Sequence, residues 1–336
     1  LIMSLKIGIN GLGRIGRMII RSLIENKNKN IEIKHINNRA SPKISAMLLK
    51  YDSVHGKFNA DVDYNEKNLI INNKKISFSQ ETELNKINWK KFGVGIVIEC
   101  TGKYNSKEKS IMHIKNGAKK VIVSAPCKNA DKTIIFGVNH KSISKSDLII
   151  SAASCTTNCL APIAHVINDE FKIEKGFMTT IHSYTTDQRL LDNSHKDPRR
   201  ARTAALSIIP TSTGASKSLG EIIPELKGKL EGLAIRVPTP NVSLMDFVFN
   251  SKSKLSIKKI NDTFIKVSKK KLKNIIDTTN ERLVSIDFNH NSNSAIVDLS
   301  LTNVVGDNMG KVTAWYDNEW GFASRMSDLV EYIHKI

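Results

Sequence analysis

Long apolar runs are absent from this sequence, and with them the most direct sign of a membrane protein. No stretch approaches the roughly 20 consecutive apolar residues that a membrane-spanning helix needs. The first residues, Leu1 to Lys6, lack the apolar core and the cleavage site of a secretory signal peptide. We therefore expect a cytoplasmic protein without a membrane partner. Leu1 and Ile2 precede Met3, where a natural start would fall, and we attach no function to them.

Cysteine is scarce as well. The four cysteines, at positions 100, 127, 155 and 159, are enough for two disulfides. A chain of 336 residues nevertheless buries enough apolar surface to need none, so we expect reduced thiols. No second pair of cysteines or histidines stands at the spacing of metal ligands, and we therefore predict no metal site.

Acidic residues are too few to balance the basic ones, and the formal net charge is +19. A field of this sign attracts anions, either nucleic acid or a phosphorylated metabolite. Lysine, asparagine and isoleucine are all plentiful while arginine is modest, which indicates compositional drift rather than a nucleic-acid-binding surface. No recognised nucleic-acid-binding motif accompanies the charge, so we do not expect nucleic acid to be the primary partner.

The chain is long enough for two domains. Leu5 to Asn10 alternates like a strand, a glycine-rich turn follows, and apolar residues then recur at helical spacing. Four later apolar runs, separated by helical or polar segments, are typical of a parallel sheet. These runs are Ile31 to Ile36, Val94 to Ile98, Val121 to Val123 and Leu148 to Ile150. The first half is therefore predicted to be an α/β domain of the Rossmann type.

The second half has longer and more evenly alternating strands. Phe177 to His182 and Val242 to Phe249 are examples. Such alternation is typical of a sheet with one covered face, as in antiparallel sheets. We predict an α+β domain with a mostly antiparallel sheet after about residue 155.

The turn after the first strand reads Gly11-Leu12-Gly13-Arg14-Ile15-Gly16. A G-x-G-x-x-G motif between a strand and a helix lets the backbone approach a pyrophosphate, which the helix N-terminus then binds. The alternative is a turn that serves only packing. In motifs of this kind an acidic residue about twenty residues further on binds the ribose and repels a 2′-phosphate. Here that position holds the neutral Asn38, followed by the cation Arg39, so NADP can be used as well. The alternative is that Asn38 simply hydrogen-bonds the ribose of NAD.

The segment Ser154-Cys155-Thr156-Thr157-Asn158-Cys159 follows a predicted strand and opens a predicted helix. Helix-terminal amides and the helix dipole favour a thiolate, so we predict that Cys155 is a nucleophile. Cys159, one turn further on, could be a resolving thiol or a metal ligand, but we expect it to pack in the core. Cys100 and Cys127 are interpreted as residues that only pack at the ends of apolar strands. His182, at the end of a predicted strand, is the candidate base among nine histidines, a choice that spacing alone leaves open.

Six motifs in register resemble phosphorylating glyceraldehyde-3-phosphate dehydrogenase, particularly its bacterial and plastid members. They are Gly11 to Arg17, Ser154 to Asn158, His182, Pro210 to Gly214, Arg236 to Asn241 and Trp315 to Gly321. The likeness extends over essentially the whole chain. It implies a dinucleotide-binding domain of residues 3–154 and 318–336 and a catalytic domain of residues 155–317. The last helix would then pack back onto the first domain.

The resemblance implies oxidation and phosphorylation of D-glyceraldehyde 3-phosphate to 1,3-bisphosphoglycerate in glycolysis or gluconeogenesis. Cys155 would form a hemithioacetal and then a thioester, with His182 as the base and inorganic phosphate as the co-substrate. The phosphate of the sugar would be bound by Thr185, Asp187 and Arg236. The attacking phosphate would be bound by Ser154, Thr156, Thr213 and the Gly214 amide, with added charge from Arg200.

For the cofactor, the resemblance implies that Arg14 and Ile15 lie at the pyrophosphate and that Thr101 and Ser124 lie along the dinucleotide. Asn318 would bind the nicotinamide carboxamide and fix the face that takes the hydride. Asn38 replaces the family's usual aspartate, and Asn193-Ser194 stands where strictly NAD-using members commonly carry Leu-Pro. We therefore predict use of both NAD and NADP, with NADP favoured. Thr82 stands where an arginine often meets the adenine, which leaves that contact open.

The family is tetrameric, so a homotetramer is implied, with the loop from Ser183 to Ala205 at an interface near a neighbour's adenosine. Three alternatives remain. Erythrose-4-phosphate dehydrogenase is similar in its cysteine motif but hydrolyses its thioester. Aspartate-semialdehyde dehydrogenase shares the thiol chemistry but not these motifs. The basic surface also leaves room for a nucleic-acid-binding or adhesive side role.

Overall fold

The computed structural model describes residues 4–26 and 30–336, so that Leu1 and Ile2 lie outside the described residues. The chain divides into two compact units. The first comprises the described residues up to Ile134, together with His140–Ser154 and Ala323–Ile336, and the second comprises Ile135–Asn139 and Cys155–Phe322. Within the described ranges, no helix combines the length and the apolar character that crossing a membrane requires.

The first unit is a twisted sheet with helices, built on a central strand. Its strands are β1 (Leu5–Asn10), β2 (Ile31–Asn37), β3 (Tyr51–Asp52), β4 (Gly56–Lys57), β5 (Val62–Asn65), β6 (Asn68–Ile71), β7 (Lys74–Ser79), β8 (Ile96–Glu99), β9 (Lys120–Val123), β10 (Lys132–Thr133) and β11 (Ile149–Ser151). Its helices are α1 (Arg14–Glu25), α2 (Pro42–Lys50) and α3 (Lys107–Lys115). The main sheet has the order β10-β11-β9-β8-β1-β2-β7-β6-β5.

Seven strands of this sheet, from β10 to β7, are parallel. The predicted Rossmann class is confirmed. The antiparallel edge formed by β6 and β5 is not part of the prediction. A tight turn at Asn72 and Asn73, whose φ angles are 47° and 63°, joins β6 to β7. Two successive residues in this conformation match the twist of a hairpin and return the chain antiparallel.

The glycine turn between β1 and α1 depends on two glycines. Gly11 has a φ of 97°, a backbone angle that residues other than glycine rarely adopt. A Cβ added at Gly16 would lie 2.1 Å from the carbonyl oxygen of Gly11, so only glycine lets the helix approach the turn this closely. At Gly13, in contrast, a Cβ would meet no atom within 4 Å. The first and third glycines therefore shape the turn, and the second leaves its backbone open.

The second unit contains a mostly antiparallel sheet, and this part of the fold prediction is also confirmed. Its strands are β12 (Ile173–Ser183), β13 (Ile209–Ser212), β14 (Leu230–Val237), β15 (Ser243–Ser251), β16 (Ile276–Thr279), β17 (Ala295–Asp298), β18 (Asn303–Val305) and β19 (Met309–Tyr316). Its helices are α4 (Cys155–Phe171), α5 (Ala215–Ile222) and α6 (Ile257–Ser268), and α7 (Trp320–Lys335) begins in it. The sheet order is β13-β14-β12-β15-β19-β17-β16, with β18 on β19.

The pairing of these strands gathers polar residues at one end of the sheet. β12 pairs in parallel with β14, which sets His182 beside Arg236. β12 pairs antiparallel with β15, and β15 with β19, so the end of β12 lies near the start of β15 and the end of β19. Ser243, the first residue of β15, pairs with Tyr316, the last residue of β19.

The cysteines occupy different environments. Cys155 opens α4, as the sequence predicts, and Cys159 is fully buried one turn later, as a packing role requires. Cys127 does not end a strand, because β9 ends at Val123 and the chain has already turned into a loop. It packs from that loop against the cluster of Val121, Val123 and Ile149, among other residues. All four thiols are free.

Candidate active site

Cys155 is the first residue of α4, and its sulfur lies 3.5 Å from Nε2 of His182. Burial raises the pKa of the Cys155 thiol, opposed by the charge of Arg236, by the Thr156 hydroxyl and by the backbone amides of Thr156 and Cys155. The sequence predicts that the helix terminus favours the thiolate. The amides do act in that direction, but burial outweighs them, so the thiol needs a partner to take its proton.

His182 is buried and its tautomer is fixed by its neighbours. Nδ1 lies 2.7 Å from the carbonyl oxygen of Ser183, a contact that would be repulsive unless Nδ1 carries a proton and donates it. Nη1 of Arg236 donates to the same oxygen at 3.0 Å. Nη1 also lies 2.9 Å from Nδ1, but it has the Ser183 carbonyl oxygen to donate to, whereas that oxygen can only accept. We therefore assign the proton to Nδ1, which leaves Nε2, the nitrogen that faces Cys155, unprotonated. Burial and, next, the charge of Arg236 lower the pKa of His182 to about 3, so the ring is neutral at physiological pH.

Arg236 is a largely buried cation without a carboxylate. Nη1 contacts His182 and the Ser183 carbonyl, at 2.9 Å and 3.0 Å. Nε is buried and has no hydrogen-bond partner. No acidic side chain within the described parts of the chain forms an ion pair with it. Such a group retains its capacity to bind an anion.

Arg200 differs, because three groups hold its guanidinium. It donates to Asp187 Oδ2 at 2.6 Å, to Thr211 Oγ1 at 2.9 Å and to the carbonyl oxygen of Ser212 at 3.1 Å. Burial would raise the pKa of Asp187, but hydrogen bonds from Arg200 and His195 outweigh it and hold that pKa below its ordinary value. Asp187 and Arg200, which the sequence analysis assigns to different phosphate pockets, thus form one ion pair.

The remaining residues predicted for the phosphates lie on different elements. Thr156 is buried, and its hydroxyl lies 3.0 Å from the Tyr316 hydroxyl. Thr213 accepts the Ala215 amide at 3.3 Å, where Gly214 precedes α5. Neither Thr213 nor Gly214 hydrogen-bonds to Cys155, His182 or Arg236 in the part of the protein that the structure describes. The Thr185 amide donates to the side chain of Gln188 at 3.3 Å, and Ser154 directly precedes Cys155.

The first unit carries a cleft of about 220 Å³ at the glycine turn. The predicted cofactor residues that line it are Gly11, Gly13, Asn38, Arg39 and Thr101. Thr82, Lys103 and Tyr104 line it as well. Asparagine side chains line the cleft too, and Glu81 adds one carboxylate. Open glycine backbone and the two basic side chains of Arg39 and Lys103 suit the phosphates of a dinucleotide.

Asn38 has both ends of its side chain engaged. Oδ1 accepts the amide of Leu12 in the glycine turn at 3.2 Å, and Nδ2 donates to the Ser45 hydroxyl at 3.1 Å. Asn38 therefore braces the turn from the second strand. An aspartate at this position could still accept the Leu12 amide, and the Ser45 hydroxyl would have to donate to it instead of accepting, while a negative charge would be added to the cleft.

Four further residues of the first unit that are predicted for the cofactor do not line this cleft. Arg14 binds both carboxylate oxygens of Asp52, at 2.5 Å and 3.1 Å. Ile15 and Gly16 belong to the first turn of α1. The Ser124 hydroxyl donates to the carbonyl oxygen of Glu99 at 3.0 Å.

Glu99, at the end of β8, is a residue that the sequence analysis missed. Its carboxylate is 1% exposed and accepts from the Thr101 amide at 2.7 Å, from Asn10 at 2.6 Å and from His113 Nε2 at 2.9 Å. Thr101 and Asn10 both line the cleft, so this buried carboxylate fixes part of its wall. An acidic residue at the end of the apolar run Ile96-Val97-Ile98 was the available signal.

Asn318 follows the end of β19. Its Oδ1 accepts the hydroxyls of Ser183, at 2.8 Å, and of Ser243, at 3.0 Å. Neither serine is singled out by any pattern in the sequence. Asn193 and Ser194 are exposed in the loop after β12, where Arg189 donates twice to the Ser194 carbonyl oxygen.

Two protein-family models match this chain. The model described as the NAD binding domain of glyceraldehyde 3-phosphate dehydrogenase matches residues 5–107. The model described as the C-terminal domain of the same enzyme matches residues 154–318. The first match contains the glycine turn, and the second contains the Cys155 and His182 pair.

Several characterised relatives match over nearly their whole length. Glyceraldehyde-3-phosphate dehydrogenase of Xanthobacter flavus is 47% identical, over 99% of this chain and 100% of the relative. The corresponding enzyme of Priestia megaterium is 49% identical over 98% of both chains, and enzyme 2 of Bacillus subtilis is 46% identical over 98% and 97%. Since likeness of this extent includes both units and the cysteine–histidine pair, the chain belongs to the glyceraldehyde 3-phosphate dehydrogenase family.

Proposed function

We propose that this chain oxidises and phosphorylates D-glyceraldehyde 3-phosphate to 1,3-bisphosphoglycerate, with hydride transfer to NAD or NADP and a thioester on Cys155. The single observation that carries the proposal is the 3.5 Å contact between Cys155 Sγ and the unprotonated Nε2 of His182. Family membership supplies the substrate, and the same reaction serves glycolysis and gluconeogenesis. We assign dinucleotide binding to residues 3–154 with 318–336 and catalysis to residues 155–317, although Met3 lies outside the described residues. The compact units differ from these ranges, because Ile135–Asn139 and residues 318–322 belong to the second unit.

Cys155 and His182 work as one acid–base pair. As the sulfur bonds to the aldehyde carbon, the thiol proton moves to Nε2, so that no net charge enters the buried site. The amide of Cys155 at the helix terminus can then hydrogen-bond the oxygen that gains charge. The imidazolium gives its proton to that oxygen, which becomes the hydroxyl of the hemithioacetal, and Nε2 is again free. His182 then takes the hydroxyl proton when the hemithioacetal is oxidised to the thioester. A bound nicotinamide supplies the hydride acceptor for that step.

Phosphate then attacks the thioester carbon, and the Cys155 thiolate leaves and recovers a proton from His182. We assign the sugar phosphate to Thr185 and Arg236, because the unpaired guanidinium of Arg236 suits a dianion. The attacking phosphate is assigned to Ser154, Thr156, Thr213 and the Gly214 amide, with Arg200. Asp187 is itself anionic, so we assign it to holding Arg200 in place rather than to contacting phosphate.

Residues at the glycine turn hold the dinucleotide in this proposal. Gly11, Gly13, Gly16, Arg14 and Ile15 surround the pyrophosphate at the start of α1, where free amides favour an anion. Thr101 and Ser124 follow it, and Asn318 binds the carboxamide. The enzyme uses both cofactors and favours NADP, because Asn38 is neutral and the exposed Arg39 lines the same cleft.

The assembly is a homotetramer in this proposal. Exposed apolar side chains concentrate around the loop after β12, where Leu190, Leu191, Leu206 and Ile208 are 79%, 73%, 85% and 70% exposed. Four large apolar side chains left in water within one segment indicate a surface that another subunit covers. Asn193 and Ser194 belong to this segment and would meet the neighbour's adenosine. A cytoplasmic location, supported by four free thiols, completes the proposal.

The reaction itself is tested by following reduced cofactor from glyceraldehyde 3-phosphate with and without inorganic phosphate. With phosphate, turnover continues and an acyl phosphate forms. Without it, we expect a burst of about one equivalent per subunit, because the thioester cannot be discharged. Cys155→Ser removes both phases, while Cys127→Ser, in a loop of the first unit, retains them. Continued turnover without phosphate would instead indicate the hydrolytic chemistry of the erythrose-4-phosphate enzyme.

The proton shared by Cys155 and His182 is tested by the pH dependence of Cys155 alkylation with iodoacetamide. The pKa of His182 is lowered to about 3 and that of the Cys155 thiol is raised, so the pair holds one proton at every pH between these two pKa values. We expect an alkylation rate that is flat from about pH 5 to pH 8. In His182→Gln the thiol must lose its proton to water, so the rate falls at pH 7 and rises about tenfold per pH unit.

The matched control for this profile is His165→Gln, which removes a histidine from α4 itself, about three turns after Cys155. It should reproduce the flat profile of the parent protein. A parent rate that climbs through neutral pH would show that the proton is not held within the pair.

Cofactor choice is tested with Asn38→Asp. The carboxylate would retain the hydrogen bond from Leu12 but repel a 2′-phosphate, so the ratio of kcat/KM for NADP to that for NAD should fall about tenfold or more. Asn65→Asp, an exposed residue of β5, adds the same charge far along the sheet and serves as the control. An unchanged ratio in Asn38→Asp, or a parent enzyme that strongly prefers NAD, would contradict the assignment.

The tetramer is tested by sedimentation velocity with Leu191→Asp. A buried carboxylate without a partner is strongly unfavourable, so the variant should dissociate into smaller species at micromolar concentration. Tyr64→Asp, which alters an exposed aromatic residue of the edge strand β5, should sediment like the parent. If the parent sediments as a monomer, the proposed assembly is wrong.

A further inference from the structure

Asn318 has a rigid backbone on both sides. Tyr316 before it is paired with Ser243 in the sheet, and its hydroxyl contacts Thr180 Oγ1 at 2.7 Å. Asp317 accepts the amides of Glu319 and Trp320 at 2.9 Å and 2.7 Å, which caps the start of α7. The backbone of Asn318 is thus held between the last residue of a strand and the first turn of a helix. Only its side chain is left to be oriented.

The hydroxyl of Ser243 orients that side chain. Its oxygen accepts the backbone amide of Ser183 at 3.1 Å and lies 3.0 Å from Asn318 Oδ1. The amide of Ser183 can only donate, so it takes one lone pair of the Ser243 oxygen. We assign the hydroxyl proton of Ser243 to Asn318 Oδ1, the acceptor 3.0 Å away. Oδ1 is therefore the end of the amide that faces Ser243.

Ser183 completes the arrangement with all three of its polar groups. Its hydroxyl donates to Asn318 Oδ1 at 2.8 Å, and its amide donates to Ser243. Its carbonyl oxygen accepts Nδ1 of His182 at 2.7 Å. One buried residue thus fixes the tautomer of the base and the direction of the Asn318 amide. With two donors on Oδ1, both lone pairs of that oxygen are used.

A strained residue directs Ser243 into this network. Val242 has a φ of 64°, which is rare for a β-branched residue, and it is buried among Phe288 and Ile296. Strain of this kind persists only where the surroundings determine the conformation. Here the packing of Val242 maintains a backbone turn that presents the next residue, Ser243, to Asn318.

We propose that Ser183 and Ser243 are positioning residues that lock the Asn318 amide with its oxygen turned inward, leaving Nδ2 as a fixed donor for a ligand carbonyl. Across the described residues, Nδ2 of Asn318 makes no hydrogen bond, so it is available for that purpose. The ligand class is a primary carboxamide on a ring, and the inference rests on the proposed function, in which that ring is the nicotinamide. A reversed amide would present an acceptor to the ligand carbonyl and repel it, and it could pair only with a ligand carboxamide that has itself turned round.

The consequence is control over which face of the ring receives the hydride. A ring whose carboxamide is held by a fixed donor cannot turn over about its glycosidic bond without losing that hydrogen bond. Removing either serine hydroxyl makes it easier for the Asn318 amide to rotate. The ring should then bind less tightly, and a larger fraction of bound rings should present the other face. Loss of a hydrogen bond worth about 1 kcal/mol corresponds to roughly a five- to tenfold loss of affinity.

Isothermal titration calorimetry with NAD, in the absence of substrate, tests the binding step. We expect Ser243→Ala and Ser183→Ala each to raise the Kd for NAD about five- to tenfold. ADP-ribose, which lacks the ring, should bind to the parent and to both variants equally. In an Asn318→Ala background, neither serine change should alter the Kd for NAD further, because the serines act through that amide.

Deuterium transfer tests the face selection. With glyceraldehyde 3-phosphate deuterated at the aldehyde carbon, proton NMR of the reduced cofactor gives the fraction of deuterium on each face. We expect the fraction on the minor face to rise about tenfold in the two serine variants. Ser251→Ala is the matched control, because it removes an equally buried hydroxyl from the same strand, where that hydroxyl donates to the Ser253 carbonyl oxygen.

Two outcomes separate this inference from the proposed function. If both serine variants fold with the parent's Tm yet bind NAD and transfer deuterium like the parent, the lock does not exist and the dehydrogenase activity stands. If the parent binds NAD but does not oxidise glyceraldehyde 3-phosphate, the proposed function fails, and the calorimetric comparison still decides the lock. Should one variant fail to fold, the other, which removes a hydroxyl from a different strand, decides alone.

Discussion

The second unit is organised around a proton that the half-buried Cys155 thiol and the buried His182 ring share. Burial raises the pKa of the Cys155 thiol and lowers that of His182, so neither group holds a lone charge easily. A proton that moves between them, across 3.5 Å, leaves the net charge of the site unchanged. The constraint explains the surroundings: the Ser183 carbonyl must fix the tautomer, because only an unprotonated Nε2 can accept the proton. It also explains why the helix terminus alone is an insufficient activator.

Two arginines near this pair differ in whether a carboxylate neutralises them. Arg200 is held by Asp187, so its direction is fixed and its charge is partly neutralised before any ligand arrives. Arg236 has no carboxylate partner within the described chain and leaves a buried Nε unsatisfied. Its positive charge therefore acts fully on its neighbours. It opposes the rise that burial causes in the pKa of Cys155, and it adds to the fall that burial causes in the pKa of His182. A bound dianion would reduce that field, so the same arginine that binds phosphate also sets the balance of the shared proton.

Much of this could be predicted from sequence, for definite physical reasons. The strand, glycine turn and helix at residues 5–25 are local, and the periodicity of α4 places Cys155 at its start. The serines around Asn318 could not be predicted, because their meaning arises only where β12, β15 and β19 pair. Burial of Cys155 is likewise a property of the packed unit, so the sequence predicts the wrong direction for its pKa. Glu99 was visible as an acid ending an apolar run, but two of its four donors, Asn10 and His113, come from other segments of the chain.

Backbone strain occurs just before two residues of the site, Cys155 and Ser243. Ala153 has a φ of 56° two residues before Cys155, and Val242 a φ of 64° directly before Ser243. Neither is glycine, although glycine would remove the strain, and glycine would also give the unfolded and the folded chain more freedom at these points. Both side chains are buried, so packing resists any relaxation of the turn. The nucleophile and the hydroxyl that orients Asn318 are thus each aimed by a conformation that the surrounding core enforces, which is why stability and orientation at this site cannot be varied independently.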